Sequence, residues 1–152
     1  MAALECRMPR LHGGPSPKVR SMPCPPCECT IRANADLFVR ELVLPQLRSL
    51  KSDTTGLDDI VIPPRWVVEY DKRERWPVLR SGRAEFVFCH HDLVPHNLLF
   101  STRTLEVLAL VDIEECGYFP AEVQQWKCDR AGQFDLYEEM ELVQKHIRLI
   151  GG

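Results

Sequence analysis

The chain has 152 residues, of which 45% are hydrophobic and 27% charged, and its formal net charge is −3. A chain of this length forms one hydrophobic core and not two full lobes. The negative charge argues against a nucleic-acid-binding module, because such modules carry a basic excess. No apolar run reaches the ~18 residues of a membrane span. We therefore expect a cytoplasmic protein with neither nucleic acid nor membrane as a partner.

The first part of the chain is rich in proline and cysteine. Residues 1–30 hold six of the twelve prolines, which predicts a disordered leader followed by a domain at residues 31–152. Cys24, Cys27 and Cys29 have a spacing that suits zinc, but a tetrahedral site needs four ligands and no second pair follows. An odd count of seven cysteines without a secretory signal favours reduced thiols in a flexible tail.

A helix is predicted over residues 31–50, because apolar side chains recur at spacings of four, four and three. These side chains form one face: Val39, Val43, Leu47 and Leu50. Asn34 is a plausible N-cap. Pro45 removes a backbone donor and clashes with the preceding turn, so it predicts a kink or two shorter helices.

The middle of the chain carries weaker signals. Residues 52–57 contain a glycine and predict a turn. Two short apolar runs, at residues 60–62 and 66–68, favour strands. The charge run at residues 69–75 indicates a solvated loop.

Three β-favouring runs surround a polar loop further along the chain, at residues 86–89, 98–100 and 105–111. The last two runs are joined by a four-residue turn and predict a hairpin. Asn97 lies just before the hairpin and Asp112 just after it, so antiparallel pairing would bring these two residues together. A final helix is predicted at residues 135–150, with basic side chains at its C-terminal end that complement the helix dipole.

Two motifs in this region carry a family resemblance. Residues 90–97 read HHDLVPHN and residues 110–120 read LVDIEECGYFP. They resemble the H-G-D-x-x-x-x-N and I-D-W-E-x-x-G-x-x-P signatures of the aminoglycoside phosphotransferase and choline kinase-like family, a branch of the protein-kinase-like fold. His91 and Ile113 stand where the family usually has a small residue and an aromatic residue.

The resemblance implies an α+β fold, namely a partial protein-kinase-like fold in which a C-terminal lobe carries a catalytic-loop hairpin among helices. It implies transfer of the γ-phosphoryl group of ATP to a small-molecule hydroxyl. Asp92 would orient and deprotonate the hydroxyl, and Asn97 and Asp112 would hold Mg²⁺ against the nucleotide phosphates. His90 would be a scaffold residue of the catalytic site, and Glu114 an outer ligand or a contact to a second metal ion.

A kinase-like enzyme also uses a Gly-rich loop and a strand lysine in its N-terminal lobe. No G-x-G-x-x-G occurs in this sequence, so we expect the N-terminal lobe to be absent. An alternative function is a non-catalytic, pseudokinase-like module that binds a protein partner through the uncovered face of the lobe. A third hypothesis is a zinc hydrolase that uses the imidazoles and carboxylate of residues 90–96.

Overall fold

A computed structural model describes residues 25–126, 128 and 139–151. The helices are α1 (Pro25–Phe38), α2 (Leu44–Ser49), α3 (Arg65–Tyr70) and α4 (Met140–Gly151). The strands are β1 (Lys51–Ser52), β2 (Phe86–His90), β3 (Leu98–Phe100), β4 (Val107–Leu110) and β5 (Cys116–Phe119). One π-helical segment, Val39–Val43, and two 3₁₀ segments, Pro95–Asn97 and Ala121–Val123, complete the elements. The described residues thus form a mixed α+β structure, as predicted, and none of their helices is long and apolar enough to cross a membrane.

Strand β2 is the centre of a three-stranded antiparallel sheet with the order β1-β2-β5. Four of its five residues are buried, because helices and the neighbouring strands cover it. His90, its last residue, pairs with Cys116 at the start of β5. The predicted hairpin is confirmed as a separate antiparallel pair, β3-β4, with Leu98 opposite Leu110.

The predicted interruption at Pro45 is also confirmed. Between α1 and α2 the backbone widens into a π-helical turn, in which the N–H of Leu44 bonds to the carbonyl of Val39, five residues back. Pro45 has no N–H to donate and its ring crowds the carbonyl of Glu41, so the regular α-helical ladder cannot run through this point.

The start of this helical region was predicted wrongly. Helix α1 begins at Pro25, so residues 25–30 are its first turns and not part of a disordered leader, whereas residues 1–24 lie outside the described residues. Asn34 is not an N-cap: its Nδ2 donates to the carbonyl of Leu105 at 2.8 Å and ties α1 to the hairpin turn. Leu50 is 49% exposed and does not share the buried face.

Residues 66–68 form part of helix α3 and not the predicted strand. Pro64 immediately precedes the helix, and its carbonyl accepts the N–H groups of Val67 and Val68. Proline is compatible with a helix start because its missing N–H is unpaired there anyway. Residues 60–62 form no strand, and only Ile60 pairs, in an isolated bridge.

The predicted turn at residues 52–57 contributes to the sheet as well. Gly56 and Tyr118 exchange two backbone hydrogen bonds, of 2.9 and 3.2 Å, along the outer side of β5. Gly56 has a φ of +80°, and a Cβ at this position would lie 2.2 Å from the carbonyl oxygen of Ile60. Only glycine fits this close approach.

Two hydrophobic clusters hold the elements together. One lies between the three-stranded sheet and helices α3 and α4, and includes Trp66, Val87 and Phe119. The other lies between α1 and the hairpin, and includes Leu93 and Leu98. Fully burying such side chains stabilises a fold by about 1.5–3 kcal/mol each. The chain segment that follows β2 passes from the first cluster to the second, so both clusters anchor it.

Helix α4 begins at Met140, and residues 135–138 of its predicted extent lie outside the described residues. His146 is one of the three side chains, with Lys145 and Arg148, that were predicted to complement the helix dipole, but it is completely buried. Its Nδ1 accepts the indole N–H of Trp66 at 3.1 Å and its Nε2 donates to the carbonyl of Glu122 at 3.2 Å. Burial lowers the pKa of His146, so the ring is neutral and joins α3 to α4.

Candidate active site

His90 links the two motifs through both of its ring nitrogens. The backbone N–H of Asp92 donates to Nδ1 at 3.2 Å, so the ring proton resides on Nε2, which faces the carbonyl of Val111 at 3.4 Å. Burial lowers the pKa of His90, which favours this neutral form. His90 therefore connects the two motifs through hydrogen bonds and has no nitrogen available to act as a base.

Asn97 closes the same segment, which we name the His90 loop (residues 90–97). Its side chain is buried, and its Nδ2 donates to both the backbone carbonyl and the carboxylate Oδ2 of Asp92, each at 2.8 Å. Its backbone carbonyl accepts the N–H of Val111 at 2.9 Å. Both of these hydrogen bonds from the amide nitrogen go to Asp92. The amide oxygen is the side-chain atom of Asn97 that could coordinate a metal ion.

The hairpin places the backbone of Asn97 beside Val111, the residue before Asp112, since the carbonyl of Asn97 accepts the N–H of Val111. Asp92 and Asp112 line one shallow recess, although they lie 20 positions apart in the chain. Glu114 and Glu115, from the segment that we name the acidic turn (residues 112–115), line the same recess. Antiparallel pairing of β3 and β4 brings the acidic turn against the His90 loop.

Asp112 has a strained backbone. Its φ of 64° lies in the left-handed region, which costs a residue with a Cβ roughly 1–2 kcal/mol, although aspartate tolerates it better than most. Such strain persists only where the surrounding structure enforces it, and it often marks functional residues. Here the conformation turns the chain sharply out of β4 towards the recess.

The donor set around the recess fits Mg²⁺ in a nucleotide complex. Carboxylate and amide oxygens are the ligands that Mg²⁺ prefers, and it is commonly held by one or two carboxylates together with substrate phosphates and water. In the part of the chain that the structure describes, no group of three or more His, Cys, Asp or Glu side chains is arranged to hold a metal ion. Asp112 lines the recess, whereas Asn97 contacts it through its hydrogen bond to Asp92, and phosphate oxygens and water would have to supply further ligands of a bound ion.

Arg65 is a residue of this recess that the sequence did not reveal. Its Nη2 lies 2.8 Å from Oε1 of Glu115, and the two residues are 50 positions apart. Glu115 is itself fixed, since its backbone carbonyl accepts the N–H of His91 at 3.0 Å. No pattern in the sequence pointed to Arg65, because it precedes a run that was predicted as a strand and lies well before both motifs.

Gln124 is a second residue that the sequence did not reveal. Its side-chain amide pairs with both backbone groups of His90: Oε1 accepts the N–H at 2.7 Å and Nε2 donates to the carbonyl at 3.1 Å. The amide thus imitates a neighbouring strand at the end of β2. This clamp fixes the point at which the His90 loop begins.

His91 and His96 do not form a zinc site with their neighbours. The ring of His91 is buried against Phe119, with ring centroids 4.5 Å apart, and neither of its nitrogens makes a hydrogen bond of normal geometry, although the backbone of Ile62 lies near enough to affect the pKa of the ring. Burial first, and the adjacent His90 second, lower its pKa to about 3. His96 is exposed, with its Nε2 3.9 Å from Oδ2 of Asp92.

The cysteines predicted to lie in the leader do not form a metal site in the described residues either. Cys27 and Cys29 lie two positions apart on α1, so the helix directs their side chains to different faces. Cys24 lies outside the described residues.

Comparison with protein families gives one finding. Residues 24–123 match the family model described as phosphotransferase enzyme family. The match spans both motifs, every predicted site residue and helix α3, and it ends before α4. No curated protein and no solved structure matches the chain.

Proposed function

Since the chain belongs to the phosphotransferase enzyme family, we propose that it binds Mg²⁺ and ATP at the recess and transfers the γ-phosphoryl group to a hydroxyl of a small molecule. Enzymes of this family generally use ATP and Mg²⁺. The observation that supports the proposal best is the hydrogen-bonded contact of Asn97 with Asp92, next to the hairpin end that carries Asp112. The fold would correspond to the C-terminal lobe of a kinase-like protein.

In the proposed reaction Asp92 accepts the proton of the acceptor hydroxyl. The hydroxyl oxygen then forms a bond to the γ-phosphorus as the bond from that phosphorus to the ADP oxygen breaks. The hydrogen bond from Asn97 aims the carboxylate of Asp92, because it holds Oδ2 in one orientation. Positioning of this kind supplies much of the catalysis in phosphoryl transfer, since the protein does little covalent chemistry.

Asn97 and Asp112 would hold the metal ion, and Glu114 would be an outer ligand. A bound Mg²⁺ supplies neutralisation of the charge that develops on the phosphate oxygens. His90 would affect the reaction only by positioning other residues. Its ring connects the backbone N–H of Asp92 to the carbonyl of Val111, the residue before Asp112. Its loss would therefore disturb the spacing between base and metal ligands without removing a reacting atom.

A substitution at Asp92 tests the function. The purified chain should bind Mg²⁺ with a non-hydrolysable ATP analogue in calorimetry and release ADP from ATP in the presence of a hydroxyl acceptor panel. Asp92→Asn should keep the binding and lower turnover about 10²–10⁴-fold, the usual contribution of a general base. Asp59→Asn is the matched control, because Asp59 is exposed and pairs with Arg80 outside the recess.

A second candidate function is a non-catalytic module that binds a protein partner. It is favoured by the exposure of three aliphatic side chains on the hairpin and the acidic turn, since Leu99 is 50%, Leu108 66% and Ile113 65% exposed. Nucleotide binding separates the two candidates. A chain that binds no Mg²⁺–nucleotide under any condition tested would contradict phosphoryl transfer and favour the binding module.

A further inference from the structure

Arg65 is fixed at the edge of the recess by its immediate neighbour. It is the first residue of α3, and Trp66 next to it is buried and donates its indole N–H to His146 on α4. The backbone at Arg65 is therefore rigid. Its side chain is 67% exposed and reaches Glu115, whose side chain is only 23% exposed. The guanidinium of Arg65 is therefore attached to a rigid backbone position and lies at the recess.

The charges around Arg65 indicate what it can bind. Among the described residues, those that line the recess are four acids, Asp92, Asp112, Glu114 and Glu115, and one basic residue, Arg65. A phosphate group cannot approach four carboxylates unless cations compensate them. A guanidinium offers five N–H donors in a planar fork that matches two phosphate oxygens.

We propose that Arg65 binds phosphate oxygens of the nucleotide, and that Glu115 is one of the groups that hold Arg65 when no nucleotide is present. This inference rests on the proposed function, because it names a further phosphate-binding residue for the same reaction. Glu115 suits the role of resting partner, since its backbone is tied to the His90 loop. The ion pair with Glu115 therefore holds the Arg65 side chain beside the recess when no nucleotide is bound.

The alternative for Arg65 is an ordinary surface ion pair. Exposed ion pairs contribute little to stability, commonly about 0.2–1 kcal/mol. In this alternative, Arg65 would contact Glu115 without binding a phosphate group. Arg80 gives the comparison within this chain, because it forms an exposed pair with Asp59 at 3.3 Å and does not line the recess. Arg80→Gln is therefore the matched control for Arg65→Gln.

Two binding measurements of opposite expected sign test the proposal. Mg²⁺ with a non-hydrolysable ATP analogue is titrated in calorimetry, and Mn²⁺ alone is titrated by electron paramagnetic resonance. Arg65→Gln should weaken nucleotide affinity about tenfold or more, because a charge-assisted bond is lost. The same variant should tighten Mn²⁺ binding by roughly twofold to fivefold, because a positive charge leaves the carboxylates. Arg65→Lys should fall between Arg65→Gln and the unsubstituted chain, and Arg80→Gln should change neither affinity.

Each remaining outcome contradicts a different statement. If Arg65→Gln binds the nucleotide as tightly as the unsubstituted chain, the inference is wrong and the proposed function stands. If the variant binds nucleotide and Mn²⁺ more weakly by similar factors, Arg65 has only a structural role and the inference is again wrong. If the unsubstituted chain binds Mn²⁺ and no nucleotide, the proposed function is wrong, and the inference that rests on it is wrong as well.

Discussion

The His90 loop and the acidic turn meet at one recess but are held in different ways. In the loop, His90, His91 and Asn97 are buried, and the polar atoms of His90 and Asn97 bond to the backbone or to Asp92. In the turn, Asp112 and Glu114 are exposed and Asp112 has a left-handed backbone. The loop is preorganised by its own packing, whereas the turn keeps its strained shape because the loop and Arg65 hold it.

This difference predicts that the two segments respond differently to substitution. Changes at His90 and Asn97 in the loop should affect stability and activity together, because the polar groups of these two residues also hold the fold. Changes at the three acidic residues of the turn should affect activity alone, because their side chains line the recess and support little of the core.

The largest expected effect concerns Asp112. Asp112→Gly removes a proposed metal ligand worth several kcal/mol of charge stabilisation, so turnover should fall about 100-fold or more. Glycine also adopts a φ of 64° without strain, so the free energy of unfolding should change by no more than about 1 kcal/mol. Turnover assays and urea denaturation measure the two quantities.

Asp58→Gly is the matched control for Asp112→Gly, since Asp58 is also an aspartate with a positive φ, of 48°, and is exposed outside the recess. It should leave turnover unchanged. If Asp112→Gly lowered stability by several kcal/mol, the turn would be part of the structural core and the contrast with the loop would be lost.

The next effect concerns His90. His90→Phe leaves the backbone N–H of Asp92 and the carbonyl of Val111 without partners, so the free energy of unfolding should fall by about 2–4 kcal/mol. Turnover should fall too, because the spacing between the loop and the turn would relax. Denaturant unfolding of the variant measures the first effect. His96→Ala, at an exposed position of the same loop, should stay within about 0.5 kcal/mol of the unsubstituted chain; equal losses for both variants would contradict a specific linking role of His90.

The smallest expected effect has the opposite sign. His91 is buried and neither of its ring nitrogens makes a hydrogen bond of normal geometry, so His91→Leu should raise the free energy of unfolding by about 1–2 kcal/mol at pH 7. His146→Leu is the contrasting variant. It leaves the indole N–H of Trp66 and the carbonyl of Glu122 without their hydrogen-bond partner, so it should lower the free energy of unfolding. Thermal or denaturant unfolding measures both changes, and a shift in the same direction for the two variants would contradict the contrast between these histidines.

The stabilisation by His91→Leu should also depend on pH. The pKa of His91 is lowered from 6.5 to about 3, so in acid the unfolded chain binds a proton that the folded chain does not. The folded state therefore loses stability as pH falls below about 6.5, by up to about 1.4 kcal/mol per pH unit from this residue. The gain from His91→Leu should consequently grow between about pH 6 and pH 4, and a constant gain over this range would show that His91 is accessible to protons in the folded state.

Local rules were enough to predict the hairpin, the interruption at Pro45 and the approach of Asn97 to the residues just before Asp112. These rules are strand periodicity, the missing donor of proline, and the fact that the two ends of an antiparallel pair lie side by side. The two motifs were also sufficient to indicate the family, which the match over residues 24–123 confirmed. A motif is readable because its residues are close in the chain.

The features that the sequence did not predict depend on how distant segments pack. Residues 66–68 were predicted as a strand because they are a short apolar run, yet they form a helix since Pro64 starts it and α4 covers Trp66. Arg65, Gln124 and His146 have partners between 24 and 80 positions away, whereas His91 is distinguished by having no hydrogen bond of normal geometry once it is buried. Hydrogen bonds and burial between distant segments are properties of packing, and no local pattern of residue types records them.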